Sequence, residues 1–267
     1  MTPLEKYYGK FKEDHRLTTR HGLVEFNTSM KFLHYYIEEI KSKSAESVNP
    51  APVKIVDVGA GTGRYSVVLA EEGHDVTAVE LVPHNLQVLE SKHANVKCWP
   101  GNAMDLSFLP DETFDITIMF GPMYHLLKKE ERLKAFEEAK RITKKGGYIF
   151  VQYVMNEYSV LTYCFKEGHI QECLDRKSLT EDFKQIPTEK DLYVYLRLED
   201  MDALNQETGL KLKERFAADG PSDYMRQILN AMDENTFQHF MEYHYATCRR
   251  PELLGASSHV VDILQKV

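Results

Sequence analysis

The period of the hydrophobic positions changes along the chain. In TSMKFLHYYIEEIK (28–41), Leu33, Tyr36, Ile37 and Ile40 fall at i, i+3, i+4 and i+7. That spacing predicts an amphipathic helix with Thr28 or Ser29 as its N-cap. From Val53 short apolar runs take over: VKIVDV (53–58), DVTAVE (75–80), NVKCW (95–99), FDITIMF (114–120) and YIFVQYV (148–154). These read as strands, several of them continuously apolar as buried strands are. Helices are predicted between them, over about 64–72, from Pro83 to about His93, and over KKEERLKAFEEAKRIT (128–143), which stops at Lys145-Gly146-Gly147. Parallel strands need crossover helices, so the alternation predicts an open, doubly wound, mostly parallel α/β sheet.

The alternation breaks over 155–197, where Tyr158, Tyr163, Phe165, Tyr193 and Tyr195 follow no clear period. A lid or substrate insertion is expected there. It resumes with a helix at 198–209, a strand at 210–217, helices at 223–233 and 235–248, and a final strand in SSHVVDILQKV (257–267), which brings the strands to seven. The chain thus divides into an N-terminal helical arm with a polar linker, KSKSAESVNPAP, ending it (1–52), a core (53–154), the insertion (155–197) and a C-terminal completion of the sheet (198–267).

Composition narrows the function classes. With 267 residues, 43% hydrophobic and 28% charged, the chain has ample material for a core. A formal net charge of −8 without a basic block counts against nucleic acid as a partner. The opening MTPLEKYYGK carries no apolar run behind basic residues, so no secretory signal is expected. No stretch approaches the ~20 apolar residues of a membrane span. Cys98, Cys164, Cys173 and Cys248 show no CxxC spacing and read as reduced thiols of a cytoplasmic protein. No metal site is expected, since His239 and His244 lie five apart on a predicted helix, off a common face.

The most informative segment is Asp57-Val58-Gly59-Ala60-Gly61-Thr62-Gly63, between the first strand and a helix. Glycines let a backbone turn sharply and approach a ligand. Glu80 ends the next strand, where a carboxylate can accept ribose hydroxyls. A dinucleotide site would prefer glycine where this chain has Arg64, and would have little use for Asp57 beside a pyrophosphate. A sulfonium cofactor with an ammonium group suits an acidic residue, which favours S-adenosylmethionine over NAD.

VDVGAGTGRYSVVLAEEGHDVTAVEL, with GNAMDL (101–106), FDITIMFGPMYHL (114–126) and RITKKGGYIFVQ (141–152), resembles the class I S-adenosylmethionine-dependent methyltransferases. The FGPMYHL segment is similar to the GPLYHL variant of a bacterial branch. The resemblance covers about 53–154 and, more loosely, the last seventy residues. It implies a Rossmann-like seven-stranded sheet with an antiparallel last strand. It also implies S-adenosylmethionine as cofactor, with S-adenosylhomocysteine as product. Under it, Gly59, Ala60, Gly61 and Gly63 bring backbone to the cofactor, Asp57 stands near its ammonium group, Glu80 holds the ribose, and Leu81 is a further cofactor-binding residue. Asn102 stands where the family usually has Asp. Its amide oxygen can accept from the adenine amino group, and Ala103 offers its backbone N–H. Phe120 and Gly121 line the methionine part.

On the acceptor side, Tyr124 and His125 follow the fourth strand at the sheet's ligand edge. His125 is a candidate general base, or a packed helix-start histidine. Tyr153 and Tyr158 are candidate acceptor walls, or packing residues of the insertion. In the arm, Tyr7-Tyr8 and Arg16-Leu17-Thr18-Thr19-Arg20 precede the first helix, and Arg20 is the candidate partner of the methionine carboxylate. The expected function is methyl transfer to a small-molecule acceptor. The alternatives are a tRNA or protein methyltransferase, a non-catalytic cofactor-binding module, and an NAD-dependent oxidoreductase.

Overall fold

In the computed structural model, which describes residues 3–8, 13–43 and 51–267, the N-terminal helix is longer than its apolar spacing predicts. After a short helix α1 (Pro3–Tyr8) and a 3-10 turn (Glu13–His15), helix α2 runs Arg20–Lys43. Thr28 and Ser29 are not its cap but lie buried in mid-helix. The helix starts early because Gly22, Val24 and Phe26 already carry a buried face. Gly22 is required there, since a Cβ would stand 2.3 Å from the Arg16 carbonyl oxygen. Most of the polar linker, 44–50, lies outside the described residues.

The sheet is built from β1 (Lys54–Val58), β2 (Asp75–Glu80), β3 (Val96–Pro100), β4 (Phe114–Met119), β5 (Thr143–Val154), β6 (Lys211–Ala217) and β7 (His259–Gln265). Its order is β3-β2-β1-β4-β5-β7-β6. The pairs among β1 to β5 are parallel, and β7 is antiparallel to both neighbours, β5 and β6. The crossovers are α3 (Arg64–Glu71), α4 (Pro83–Ser91) and α5 (Lys129–Ile142). Lys145-Gly146-Gly147 does not end α5. The helix stops at Ile142, and β5 begins at once with an extended Thr143. The glycines serve a kink in that strand: Gly146 has φ +82°, and a Cβ on Gly147 would meet the Asp115 carbonyl oxygen at 2.8 Å.

Both faces of the sheet are covered, as near-continuous apolar strands require. On one face α2 places Met30, Leu33, Tyr36 and Ile37 against Ile55, Ile116 and Phe150. On the other, α5 and α8 (Leu198–Thr208) place Phe136, Ala139, Met201 and Leu204 against Val56, Ile149 and Val151. The insertion contains α6 (Asn156–Ser159), a π-helical turn (Val160–Lys166) and α7 (Ile170–Asp175). It then folds back: Leu196 N donates to the Val154 carbonyl at 3.0 Å, and Val194 N to the Tyr124 carbonyl at 2.8 Å. Helices α9 (Arg226–Ala231), α10 (Glu234–Thr247) and α11 (Pro251–Leu254) precede β7. The four cysteines are free, and Cys164 and Cys173 bring their sulfurs within 3.7 Å. Among the described residues, no helix is long and apolar enough to cross a membrane.

Candidate functional site

Because β7 alone runs against the other strands, its first residues share an edge with the C-terminal ends of the rest. Ligands of open α/β sheets bind at this edge. A cavity of about 310 Å³ opens there, between the glycine loop after β1, the ends of β2 and β3, the loop after β4 and the N-terminal arm.

The glycine loop is left-handed at Gly59 (φ +76°), Gly61 (φ +57°) and Gly63 (φ +83°), where a side chain would be strained. A Cβ on Gly59 would also stand 2.9 Å from Pro122 Cδ, and one on Gly121 3.1 Å from the Gly59 carbonyl oxygen. The two loops therefore meet backbone to backbone and leave the cavity open above them. Gly63 has a different task from its neighbours. It does not line the cavity, and its missing Cβ makes room for Leu89 of α4.

Glu80 is buried yet lines the cavity. Its two carboxylate oxygens accept the Gly61 and Val82 backbone N–H groups, each at 2.7 Å. A carboxylate oxygen accepts more than one hydrogen bond, so this clamp is compatible with hydroxyl donors on the same oxygens. Leu81 is half-exposed beside it. Asp57 is buried at the other side and accepts the Ser66 hydroxyl at 2.6 Å. Burial, with the charge of Glu80 added, pushes its carboxyl up to about 7, while the Ser66 bond works in the opposite direction. Asn102 and Ala103 lie at the far end with Gly101 and Met104. The Asn102 side-chain oxygen accepts the Met104 N–H at 3.0 Å, which shapes its own loop. Phe120 is wedged against Tyr65, ring centroids 4.9 Å apart, and with Gly121 forms the floor.

Three arginines lie on the segments around the cavity, with Arg16 and Arg64 in its wall. Arg20 does not reach the cavity. As the first residue of α2 it turns outward to Glu234, at 3.3 Å, and over the Phe237 ring. Arg16 lines the cavity, with its guanidinium on Glu25 at 2.8 Å and 3.3 Å. Arg64, the first residue of α3, also lines it and lies over the Phe26 ring at 4.2 Å.

Tyr8, Tyr124, His125 and Leu126 also line the cavity, with Tyr8 and Tyr124 against His125. His125 Nδ1 lies 2.9 Å from the Leu192 carbonyl and Nε2 lies 2.9 Å from the Tyr8 hydroxyl. A carbonyl can only accept, so the proton sits on Nδ1 and Nε2 accepts from Tyr8. Burial lowers the His125 pKa to about 4, against the opposing Leu192 bond. Tyr193 of the insertion stacks on Tyr124 and packs on His125, centroids 5.8 Å and 4.9 Å away. Tyr153 is not a wall: strand alternation turns it into the core beneath α5 and α8. Tyr158 also stands off the cavity, against Tyr224 at 5.3 Å.

The periodicity gave no warning of a buried polar cluster beside Tyr124. His259, first residue of β7, bonds Asp219 Oδ2 through Nδ1 at 2.6 Å, and Glu25 Oε2 lies 3.7 Å from the same nitrogen. Asp219 follows β6, while Glu25 comes from α2 and also accepts from Gln152 at 3.0 Å. Burial opposes a charge on His259, but Glu25 and Asp219 outweigh it and raise the pKa to about 9. These three residues are the one group among those described whose His and carboxylate atoms converge, all within 4.8 Å. Arg16 and His259, whose pKa is raised, face the two carboxylates and make the cluster an ion-pair network. Glu25 sits some 200 positions before Asp219 and His259, and the packing of α2 together with β7's reversed direction joins them.

Residues 56–151 match the family described as Methyltransferase domain. Over 144 residues the chain is 33% identical to the demethylmenaquinone methyltransferase of Paenarthrobacter aurescens, covering 54% of this chain and 53% of that protein. Over 94 residues it is 34% identical to an uncharacterized methyltransferase-like protein of Schizosaccharomyces pombe, covering 35% of each. The chain thus spans about a third to a half of the length of these curated relatives. Its fold is that of a SAM-dependent methyltransferase from Methanosarcina mazei, with a TM-score of 0.54 at 15% identity over 81% of this chain and 93% of that one. The core of the sheet is thus similar to a methyltransferase domain, and the whole chain has a Rossmann-like α/β fold.

Proposed function

We propose that this protein transfers a methyl group from S-adenosylmethionine to a small-molecule acceptor. The observation that carries the reading is the clamped Glu80 carboxylate, held by the Gly61 and Val82 N–H groups inside a cavity floored by glycine backbone. Such a carboxylate fits a ribose, and the matched domain fits the cofactor. Bound there, S-adenosylmethionine supplies a methyl group on a sulfonium centre, open to in-line displacement.

The chain's own contribution is positioning. Gly59, Ala60 and Gly61 offer close backbone approach, and Asp57 receives the ammonium group. Leu81, Asn102 and Ala103 flank the adenine, where Ala103 offers its N–H while the Asn102 oxygen is shared with Met104. Phe120 and Gly121 support the methionine part. Tyr8, Tyr124 and His125 close the acceptor end and exclude water, which strengthens electrostatic interactions inside. His125 holds a hydrogen bond on each ring nitrogen, which favours orientation of Tyr8 over proton removal. Methyl transfer can proceed largely by such placement.

A small acceptor is supported by the aromatic end wall, and a relative named for demethylmenaquinone points the same way. The −8 charge counts against a nucleic-acid acceptor, and the cavity's reach to Tyr124 and His125 against a non-catalytic module. Four free thiols suit the cytoplasm. Methyl transfer from labelled cofactor into a fractionated extract, with mass identification of the product, tests the reading. Label in bulk tRNA instead of a small molecule would overturn the acceptor class, and cofactor binding with no labelled product would favour the non-catalytic module.

A further inference from the structure

Arg132, in the first turn of α5, is a buried cation with no ion-pair partner among the described residues. Burial holds its pKa below the ordinary value, and a cation is also disfavoured so close to a helix N-terminus. The nearby acids are engaged elsewhere. Asp200 holds Lys184 at 2.6 Å, and Glu131 accepts the Lys128 N–H at 3.1 Å. What the guanidinium does hold is the chain just before the helix. Its Nη1 donates to the Leu126 carbonyl at 2.6 Å and to the Leu127 carbonyl at 3.1 Å, while Nε makes no hydrogen bond. A buried charge without a counter-charge is costly unless hydrogen bonds offset it, and here the two loop carbonyls supply them.

Those carbonyls belong to the loop that brings Tyr124, His125 and Leu126 into the cavity lining. The loop closes on itself at the Pro122 carbonyl, which accepts the His125 and Leu126 N–H groups at 2.9 Å and 3.1 Å. The insertion grips it through Val194 N on the Tyr124 carbonyl and through the Leu192 carbonyl on His125 Nδ1. Arg132 is the tie from α5. On the proposed function, on which this inference rests, this loop is the acceptor wall. We propose that Arg132 is the positioning residue of that wall, fixing the Leu126 and Leu127 carbonyls so that His125 stays enclosed between Leu192 and Tyr8. The side chains packed on His125 are Tyr8 of α1, Tyr124 and Tyr193 of the insertion, all uncharged. Among the described residues no carboxylate lies within ion-pair distance of its ring. Its protonation therefore follows its burial, and reports whether the loop is closed.

Proton–nitrogen NMR spectra of the histidine side chains of the full-length protein, followed from about pH 5 to about pH 8 and assigned with His125→Gln, test this. In the unmodified protein His125 should stay neutral throughout, with its proton on Nδ1. Arg132→Met should admit water to the ring and return His125 to a titration near about 6.5. His244, buried elsewhere against the Ala218 carbonyl at 3.2 Å, should be unchanged, which shows that the fold is intact. Labelled methyl transfer should fall about ten- to a hundredfold, as misplacement of a wall does. Affinity for S-adenosylhomocysteine should drop by no more than about tenfold. Arg132→Lys keeps a cation for the same carbonyls and should restore a neutral His125 and part of the transfer. If the methionine variant does not fold, and His244 changes as well, Arg132→Gln, which keeps one donor, is read in the same way. A folded variant without the cation in which His125 stays neutral overturns the Arg132 assignment. If the unmodified protein binds no S-adenosylhomocysteine, the proposed function falls, while the His125 titration still judges Arg132.

Discussion

The Tyr8 hydroxyl and His125 Nε2 lie 2.9 Å apart and tie the N-terminal arm to the loop after β4. With Nδ1 donating to Leu192 and burial holding the pKa near 4, His125 is neutral across the physiological range and gives no titration near its ordinary 6.5. His125→Gln should therefore keep labelled methyl transfer within about tenfold of the unmodified protein, whereas general bases contribute about 10²–10⁴-fold. Tyr8→Phe should weaken S-adenosylhomocysteine binding by about three- to tenfold, the size of one hydrogen bond. A thousandfold loss in His125→Gln together with loss of a rising pH limb would make it the base after all.

Asp57 sets a second pH dependence. Burial first, then Glu80, pushes its pKa up to about 7, so below that pH the carboxyl is protonated. Pairing with the ligand's ammonium group needs the ionised form. Affinity for S-adenosylhomocysteine should therefore rise from pH 6 towards pH 8, up to about tenfold per unit on the acid side, with a proton released on binding. Calorimetry in buffers of different ionisation heat measures this. Asp57→Asn should bind more weakly and show no pH step. A flat wild-type profile would remove Asp57 from the site.

The His259 cluster predicts a stability change in the alkaline range. Its folded pKa of about 9 exceeds the ordinary 6.5, so its contribution is complete below about 6.5 and is lost as pH rises through 9. The upper bound is on the order of 3 kcal/mol. Urea midpoints of the unmodified protein should fall between pH 7 and pH 9.5, and His259→Asn should flatten that fall. Glu25→Gln should lower stability at neutral pH by about 2–4 kcal/mol, because it leaves Arg16 and His259 without their shared counter-charge. A His259→Asn profile parallel to wild type would show that the cluster is not charged as described.

Sequence periodicity located the sheet well. β2 covers 75–80 as read, and the strands at 53–58, 114–120 and 210–217 differ by a residue at their ends. The glycine loop and Glu80 were legible because a tight turn and a strand-end carboxylate are local features. The errors arose where tertiary contacts decide. Thr28 and Ser29 resemble caps locally but are buried by the packing of α2. Arg20 was the plausible arm arginine, yet the helix begins at that residue and turns it to Glu234. Tyr153 lies within β5, near its ligand-edge end, but alternates inward. His259, Asp219 and Glu25 had no shared pattern, because an antiparallel strand and a helix from the other end of the chain assemble them. Arg132 was visible in the predicted helix, but its hold on the Leu126 and Leu127 carbonyls is a property of three dimensions only.

The central claim is that the glycine-floored cavity holds an S-adenosyl ligand through Glu80. Thermal-shift and calorimetric titrations with S-adenosylhomocysteine and with NADH, on the unmodified protein and on Glu80→Gln, test it most directly. The account predicts that S-adenosylhomocysteine binds and stabilises the unmodified protein, that Glu80→Gln weakens it by at least about tenfold, and that NADH has no effect on either. Stabilisation by NADH without any response to S-adenosylhomocysteine would contradict the account.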